Sequence, residues 1–296
     1  MAQISRSHHT VPRFYLDGFA DEKGFVQVVR LPGDIRYPQS VQKVSVINDF
    51  YNVGTGPDRD AVEKLIGDEI EAPAAEILRK VLTQGLWPLD SEARAIFATF
   101  MAVQHLRGIR ARRSLTEIVD AASKLVGGKD GLPTEPAARV EALKSIHIQS
   151  MLDIENTAPY IFGRVWTLAR LKDMKLLCCD TPISLVRHKH LPNYAPVGMA
   201  TAWFIVMPLS RTTGLLMSEP PPGDEHVEHV SAGQYDGVID EFPDEAALGD
   251  LFNKRTVRNA RQCIYHHPGD ANLVPNDLPE PNPQEIATVT GNHDDQ

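Results

Sequence analysis

The sequence predicts an α+β fold, in which a central helical block packs against a small, mostly antiparallel sheet built from N- and C-terminal strands. Short apolar runs bounded by turn residues, typical of strands, occur over residues 24–53 and 176–217. Between them, residues 58–172 carry apolar side chains at helical spacing. A hydrophobic fraction of 42% over 296 residues is enough for a substantial core.

The chain opens with two adjacent histidines, His8 and His9, followed by Pro12 and an apolar cluster. Most termini are polar and frayed, so a segment like this stays ordered only if it packs on something. We expect the cluster to anchor the histidines; it consists of Phe14, Tyr15, Leu16 and Phe19.

The predicted elements follow in order along the chain. The N-terminal strands are expected at residues 24–31, 35–37, 43–46 and 50–53. Helices are expected at residues 61–83, from the N-cap Ser91 to about Arg113, at 114–125, and at 136–171 with a break near Pro159. Pro73 is expected to kink or break the first of these helices, because proline removes a helical hydrogen bond.

The C-terminal part returns to strands and ends in a polar tail. Strand-like runs occupy residues 176–179, 183–186, 203–207 and 214–217, and a last helix is expected at 244–263. Residues 268–296 are rich in Pro, Asn and Asp, which predicts a disordered tail after a single domain at 1–267.

Composition excludes some classes of function. The net charge of −9 argues against a protein that binds nucleic acid through its overall charge, but it does not exclude a local basic patch. No apolar run approaches the roughly 20 residues that span a bilayer, and polar histidines stand where a signal peptide would be apolar. Three cysteines without a CxxC pair suit a reducing compartment. We therefore expect a cytoplasmic protein without a membrane partner.

The histidine pair is the first candidate site. Imidazole titrates near neutrality and binds divalent metals, so His8 and His9 are candidates for a general base or for metal ligands. The alternative is that one ring bonds to the backbone and the other is exposed.

The second candidate lies on one face of the helix that starts at Ser91, where Gln104 and Arg107 share a stripe with apolar residues. A buried guanidinium needs a partner, because leaving it unpaired costs several kcal/mol. Glu71 and Asp180 are the candidate partners. The alternative is a structural ion pair between helices.

Asp180 is the third candidate, because it follows an apolar strand and precedes Pro182, a common position for a ligand or catalytic group. An Asx-turn that caps the strand end explains it equally well. The chain contains no GxGxxG, GxxxxGK[ST], HExxH or GxSxG motif, which counts against nucleotide-fold enzymes, zincins and α/β-hydrolases.

These residues resemble a known family. The pattern His8-His9-x-Val11-Pro12-x-x-Tyr15-Leu16-x-x-Phe19 resembles the opening signature of the bacterial domain-of-unknown-function family 4238. The other matching pieces are Asp49-Phe50-Tyr51, Glu63, Glu71, Gln104-x-x-Arg107, Asp180-x-Pro182, residues 207–210, and Asn259 or Asn253. The resemblance spans residues 6–267. The family usually has Ser-Asp-x-Pro where this chain has Cys179 before Asp180. The resemblance implies an architecture and a set of polar residues, and it implies no activity.

Two hypotheses for function follow. The first is a metal-dependent or acid–base hydrolase of a phosphoester or nucleic acid, with a site formed by His8, His9, Glu71, Gln104, Arg107 and Asp180. In this hypothesis a divalent metal is the expected cofactor, and Arg107 binds an anionic group. The second is a binding or sensor protein for an anionic ligand or a partner, in which the same polar residues form a structural network.

Overall fold

The computed structural model describes residues 7–52, 60–128, 130–192, 197–220, 222–223, 227–241 and 243–281. Its helices are α1 (Arg13–Leu16), α2 (Ala61–Leu65), α3 (Ala72–Gln84), α4 (Ser91–Leu106), α5 (Ile109–Leu125), α6 (Pro136–Leu152), α7 (Ala158–Phe162), α8 (Val227–Ser231) and α9 (Glu245–Asn259). Its strands are β1 (Ser7–His9), β2 (Phe25–Arg30), β3 (Ile35–Ser40), β4 (Val46–Asn48), β5 (Val165–Arg170), β6 (Cys178–Cys179), β7 (Ser184–Val186), β8 (Phe204–Ser210), β9 (Thr213–Ser218), β10 (Gly237–Ile239) and β11 (Cys263–His266). The predicted α+β class is confirmed.

The strands of the described residues form three sheets. One pairs β1 with β4, the second has the order β3-β2-β11-β6, and the third has the order β10-β5-β9-β8-β7. Every pairing is antiparallel except that of β10 with β5. The second sheet joins the N-terminal hairpin to strands from late in the chain, as the sequence predicts.

The apolar cluster after the histidines forms an anchor. Tyr15, Leu16 and Phe19 are fully buried, and the partly buried Phe14 packs against Phe100 with ring centroids 5.3 Å apart. The Tyr15 hydroxyl donates a hydrogen bond to the Pro208 carbonyl and so ties α1 to β8. This anchor holds the segment that follows β1 against the core.

The first long helix contains a change of hydrogen-bonding pattern. Residues Ile66–Glu71 are π-helical and connect α2 to α3 without a break. Pro73, in the first turn of α3, has no N–H to donate, and the wider π turns come directly before it. The helix ends at Gly85, whose φ of 70° suits the left-handed C-terminal position.

The predicted helix from Ser91 to Arg113 is wrong in two respects. Asp90 rather than Ser91 is the N-cap, since its side chain accepts from the Ala93 N–H at 2.8 Å. The helix also ends at Leu106, because Gly108 adopts an extended conformation with ψ of 171° before α5 begins. The break leaves Arg107 as the C-cap residue of α4.

Strands β1 and β10 are absent from the prediction, and three further regions also differ from it. Strand β5 replaces the end of the predicted helix 136–171; Trp166 and Leu168 are fully buried there, whereas Val165 and Thr167 are only partly buried. The helix predicted at 244–263 ends earlier, at Asn259, and β11 begins at Cys263. In place of the strands predicted at 43–46 and 50–53, the chain has β4, which pairs with β1; residue 53 lies outside the described residues.

The predicted disorder is wrong for residues 268–281. A 3₁₀ helix covers Pro268–Leu273, and Asp270 forms an ion pair with Arg211 at 2.7 Å. Val274 and Leu278 are buried beside strand β2 residues in a second apolar cluster. The chain therefore stays packed beyond residue 267, while residues 282–296 lie outside the described part. Within the described residues, no helix has the length and hydropathy that a membrane span requires.

Candidate active site

Two of the predicted site residues, Gln104 and Arg107, contact the same atom, the carbonyl oxygen of Thr10. Gln104 donates to it through Nε2 at 3.0 Å, and Arg107 donates through Nε at 3.1 Å. Both side chains come from the C-terminal end of α4, next to the break at Gly108. This contact brings the α4 terminus against the segment that carries His9.

Arg107 forms an ion pair with Glu71, the last residue of the π-helical segment, so the predicted partner is confirmed. The Arg107 side chain is 1% exposed, whereas that of Glu71 is 24% exposed. Burial lowers the pKa of Arg107, but the Glu71 carboxylate, Tyr51 and Glu63 outweigh it and raise that pKa above its ordinary value. The pair therefore contacts solvent mainly through Glu71.

Glu63 is the carboxylate that the site prediction left out, although it is part of the family pattern. Burial raises its pKa to about 7, Arg107 opposes that shift, and Glu71 adds to it. A carboxyl with this pKa exchanges a proton at neutral pH. The sequence signal was the regular spacing of Glu63, Gly67 and Glu71 along one helix.

His9 lies beside this carboxylate pair. Burial lowers the pKa of His9; Arg107 lowers it further, while the Val41 backbone and Glu71 raise it. The ring is therefore neutral at pH 7. Its Nε2 atom is buried and has no hydrogen-bond partner in the described part of the chain. A neutral imidazole with an unoccupied ring nitrogen has the chemistry of a general base.

These groups share a cavity of about 390 Å³ that is open to solvent. Its lining residues are His9, Arg13, Phe14, Asp17, Glu63, Gly67, Glu71, Ala72 and Ala75. Arg107 lies behind Glu71. Two buried atoms, Arg107 Nη2 and Gln104 Oε1, have no hydrogen-bond partner among the described residues. We call this space the acid–base cavity. It combines three carboxyl groups, those of Asp17, Glu63 and Glu71, with a neutral histidine.

The structure separates His8 from this cavity. Neighbouring residues of a strand point to opposite faces, so His8 and His9 face apart on β1. His8 is fully buried, its Nδ1 accepts from the Tyr51 N–H at 2.8 Å, and its ring stacks on Tyr51 at 5.4 Å. Its contacts make it a structural residue, which is the alternative the sequence left open for one of the pair.

Asp180 does not reach the acid–base cavity either. It follows β6, which pairs with β11, and its carboxylate accepts from the backbone N–H groups of Arg261 at 2.9 Å and Gln262 at 2.8 Å. The Asp180 carboxylate therefore connects the end of β6 to the residues before β11, and it forms no local Asx-turn. Burial raises the pKa of Asp180 to about 6, and the backbone donors oppose that shift.

Among the described residues, no group of three or more His, Cys, Asp or Glu side chains is placed to hold a metal ion. The predicted metal ligands His8 and Asp180 are each bonded to the backbone. The donor set that remains around His9 therefore suits proton transfer better than metal binding.

The described residues form an α+β fold, and His9, Glu63 and Glu71 line one of its cavities. A profile of the family described as "Protein of unknown function (DUF4238)" matches residues 7–270, and the chain belongs to that family. Neither a curated protein nor a solved structure matches the chain.

Proposed function

We propose that the chain is a hydrolase that uses acid–base catalysis in the acid–base cavity. The observation that carries the proposal is that a carboxyl with a raised pKa and an imidazole with a lowered pKa line the same cavity. Burial raises the pKa of Glu63 to about 7 and lowers the pKa of His9. Titratable neighbours whose environments separate their pKa values are typical of acid and base pairs in enzymes.

The environments suggest a role for each group. Glu63, protonated in part of the molecules at pH 7, donates a proton to the leaving group. His9 is neutral and accepts a proton from the attacking water at Nε2. Arg107 pairs with Glu71 from behind the cavity wall and holds that carboxylate in place.

A phosphodiester is the substrate class that fits best. The cationic groups near the cavity each face a carboxylate, Arg13 with Asp17 at 3.9 Å and Arg107 with Glu71. Because each of these cations already has a carboxylate partner, a monoanionic diester is a better substrate than a dianionic monoester. The acidic net charge of −9 also favours a small diester over a long nucleic acid.

The test is hydrolysis of bis(p-nitrophenyl) phosphate, p-nitrophenyl phosphate, RNA and DNA, each with EDTA and with Mn²⁺ or Zn²⁺. We expect diester turnover in EDTA and a loss of about 10²–10⁴-fold in Glu63→Gln or His9→Gln. Glu69→Gln is the matched control, because Glu69 lies on the same π-helical segment and is exposed. Turnover that survives both site substitutions contradicts the proposal. Turnover that is lost in EDTA and restored by metal contradicts catalysis by these side chains without a metal ion.

One observation favours the second candidate, a non-catalytic binding or sensor protein. Gln104 Nε2, Arg107 Nε and Arg107 Nη1 all bond to groups of the fold itself. In that case Arg107→Met lowers stability strongly, and no substrate in the panel is turned over by the wild type. Measured turnover together with an unchanged or raised melting temperature for Glu63→Gln supports the enzyme instead.

A further inference from the structure

Thr10, which follows His9 in the chain, lines a second cavity of about 190 Å³. Its walls come from strands β2, β3 and β11, from residues 43–47, and from Asp180 after β6. None of the proposed reacting groups lines it. The acid–base mechanism therefore leaves this cavity without a function.

The charged side chains that line this cavity within the described residues are Asp180 and Lys43. Asp180 is 9% exposed and uses its two oxygens to accept from the Arg261 and Gln262 N–H groups. A carboxylate has about four lone-pair positions, so each oxygen can accept a further donor. Lys43, by contrast, is exposed. The cavity thus has a buried acidic group and an exposed basic group.

Neutral groups complete the wall. Gln39, Gln262 and Tyr37 contribute amide and phenol groups, and Val28 and Ile109 contribute apolar surface. This mixture of two opposite charges, a few hydrogen-bonding groups and apolar surface suits a small amphiphilic molecule.

Ser45 gives this wall a fixed shape. It is a non-glycine residue with φ of 60°, a conformation that side chains adopt rarely. Its hydroxyl lies 2.5 Å from the Thr10 hydroxyl and accepts from the Val11 N–H at 3.1 Å. Residues held in such conformations occur frequently at ligand clamps.

We infer that this cavity binds a small zwitterion, of which a free α-amino acid is the simplest example. The ammonium group donates to Asp180, and the carboxylate faces Lys43. The volume of about 190 Å³ exceeds that of several waters at about 30 Å³ each, so a compact amino acid fits.

The experiment is a thermal-shift panel of the standard amino acids, with ethylamine and propionate as probes that carry one of the two charges each. We expect at least one amino acid to raise the melting temperature, and we expect neither single-charge probe to do so. Calorimetry then gives the dissociation constant of that amino acid for wild type, Asp180→Asn and Lys43→Gln. Each substitution should weaken binding about tenfold or more, because it removes a charge-assisted contact.

Lys23→Gln is the control, since Lys23 does not line the cavity; it should bind as wild type does. Lys43 is exposed, so Lys43→Gln tests the inference even if Asp180→Asn does not fold. The inference is overturned if no amino acid binds, if ethylamine alone gives the full shift, or if Lys43→Gln retains wild-type affinity. Binding is measured without turnover, so the outcome is independent of the proposed hydrolase.

Discussion

Arg94 and Arg107, near the two ends of α4, are both buried guanidinium groups paired with a carboxylate, yet their surroundings differ. Arg94 Nε donates to the Phe162 carbonyl at 2.9 Å, while its terminal nitrogens bond to Asp236 and to the Arg164 carbonyl. Its partner Asp236 is 1% exposed. The guanidinium also lies 4.3 Å from the centroid of the Trp166 ring.

Arg107 has the same chemistry in a more open setting. Its Nη2 has no partner within the described residues, and Glu71 is 24% exposed at the acid–base cavity. Arg94 has all its donors satisfied within the core, whereas Arg107 keeps one unpaired donor among the described residues and its carboxylate partner contacts solvent. The two ion pairs of one helix therefore differ in how completely the fold seals them.

The largest expected effect comes from breaking the sealed pair. Asp236→Ala leaves Arg94 buried and uncompensated, which should lower the free energy of unfolding by about 3–5 kcal/mol. Urea denaturation measures this change. A loss below about 1 kcal/mol would show that water reaches Arg94 and that the pair is not sealed.

The corresponding change in the open pair should cost less. Glu71→Ala should lower the free energy of unfolding by about 2 kcal/mol, because cavity water replaces part of the lost carboxylate contact. The exposed Glu69→Ala is the control and should stay within about 0.5 kcal/mol of wild type. If Glu71→Ala is as damaging as Asp236→Ala, the distinction between the two pairs fails.

Glu63 should make stability depend on pH. Its folded pKa of about 7 is higher than the ordinary 4.5, so the folded state holds this proton more tightly than the unfolded state does. The associated stability is present below the ordinary pKa and is lost as the pH rises through 7. We expect Glu63→Gln to gain about 1 kcal/mol relative to wild type between about pH 5 and pH 8.

Denaturant unfolding at several pH values measures this gain, with Glu69→Gln as the control. Parallel pH profiles for wild type and Glu63→Gln would show that the Glu63 carboxyl keeps its ordinary pKa. That result would also remove the main support for its role as the acid.

The smallest expected effect comes from His9. Burial lowers the folded pKa of His9, so protonation favours the unfolded state and stability falls as the pH drops below the ordinary imidazole value of 6.5. In His9→Gln, the loss of stability below pH 6.5 should be smaller than in wild type by a few tenths of a kcal/mol. The effect is small because the ring is only partly buried. NMR titration of the His9 ring checks the pKa directly, and a raised value would contradict the prediction.

Part of the site could be predicted because the signals are local. The apolar anchor after His9 and the need of Arg107 for a carboxylate follow from residue chemistry and spacing, whereas the π-helical segment before Pro73 was not predicted. The prediction missed the break at Gly108 and strand β5, since helical and strand periodicities are hard to separate over a few residues. It also grouped His8 and Asp180 with the site, although backbone donors occupy both.

The sequence by itself determined the α+β class, the order of helices and strands with a few exceptions, and the identity of the polar groups that need partners. Only the tertiary structure decided which partner each group has. Arg107 meets Glu71 across 36 residues, and Arg94 meets Asp236 across 142. Such pairings, and the burial that raises the pKa of Glu63, depend on contacts distant in the chain. Local spacing carries no record of those contacts, because they arise when the helices pack against the sheets.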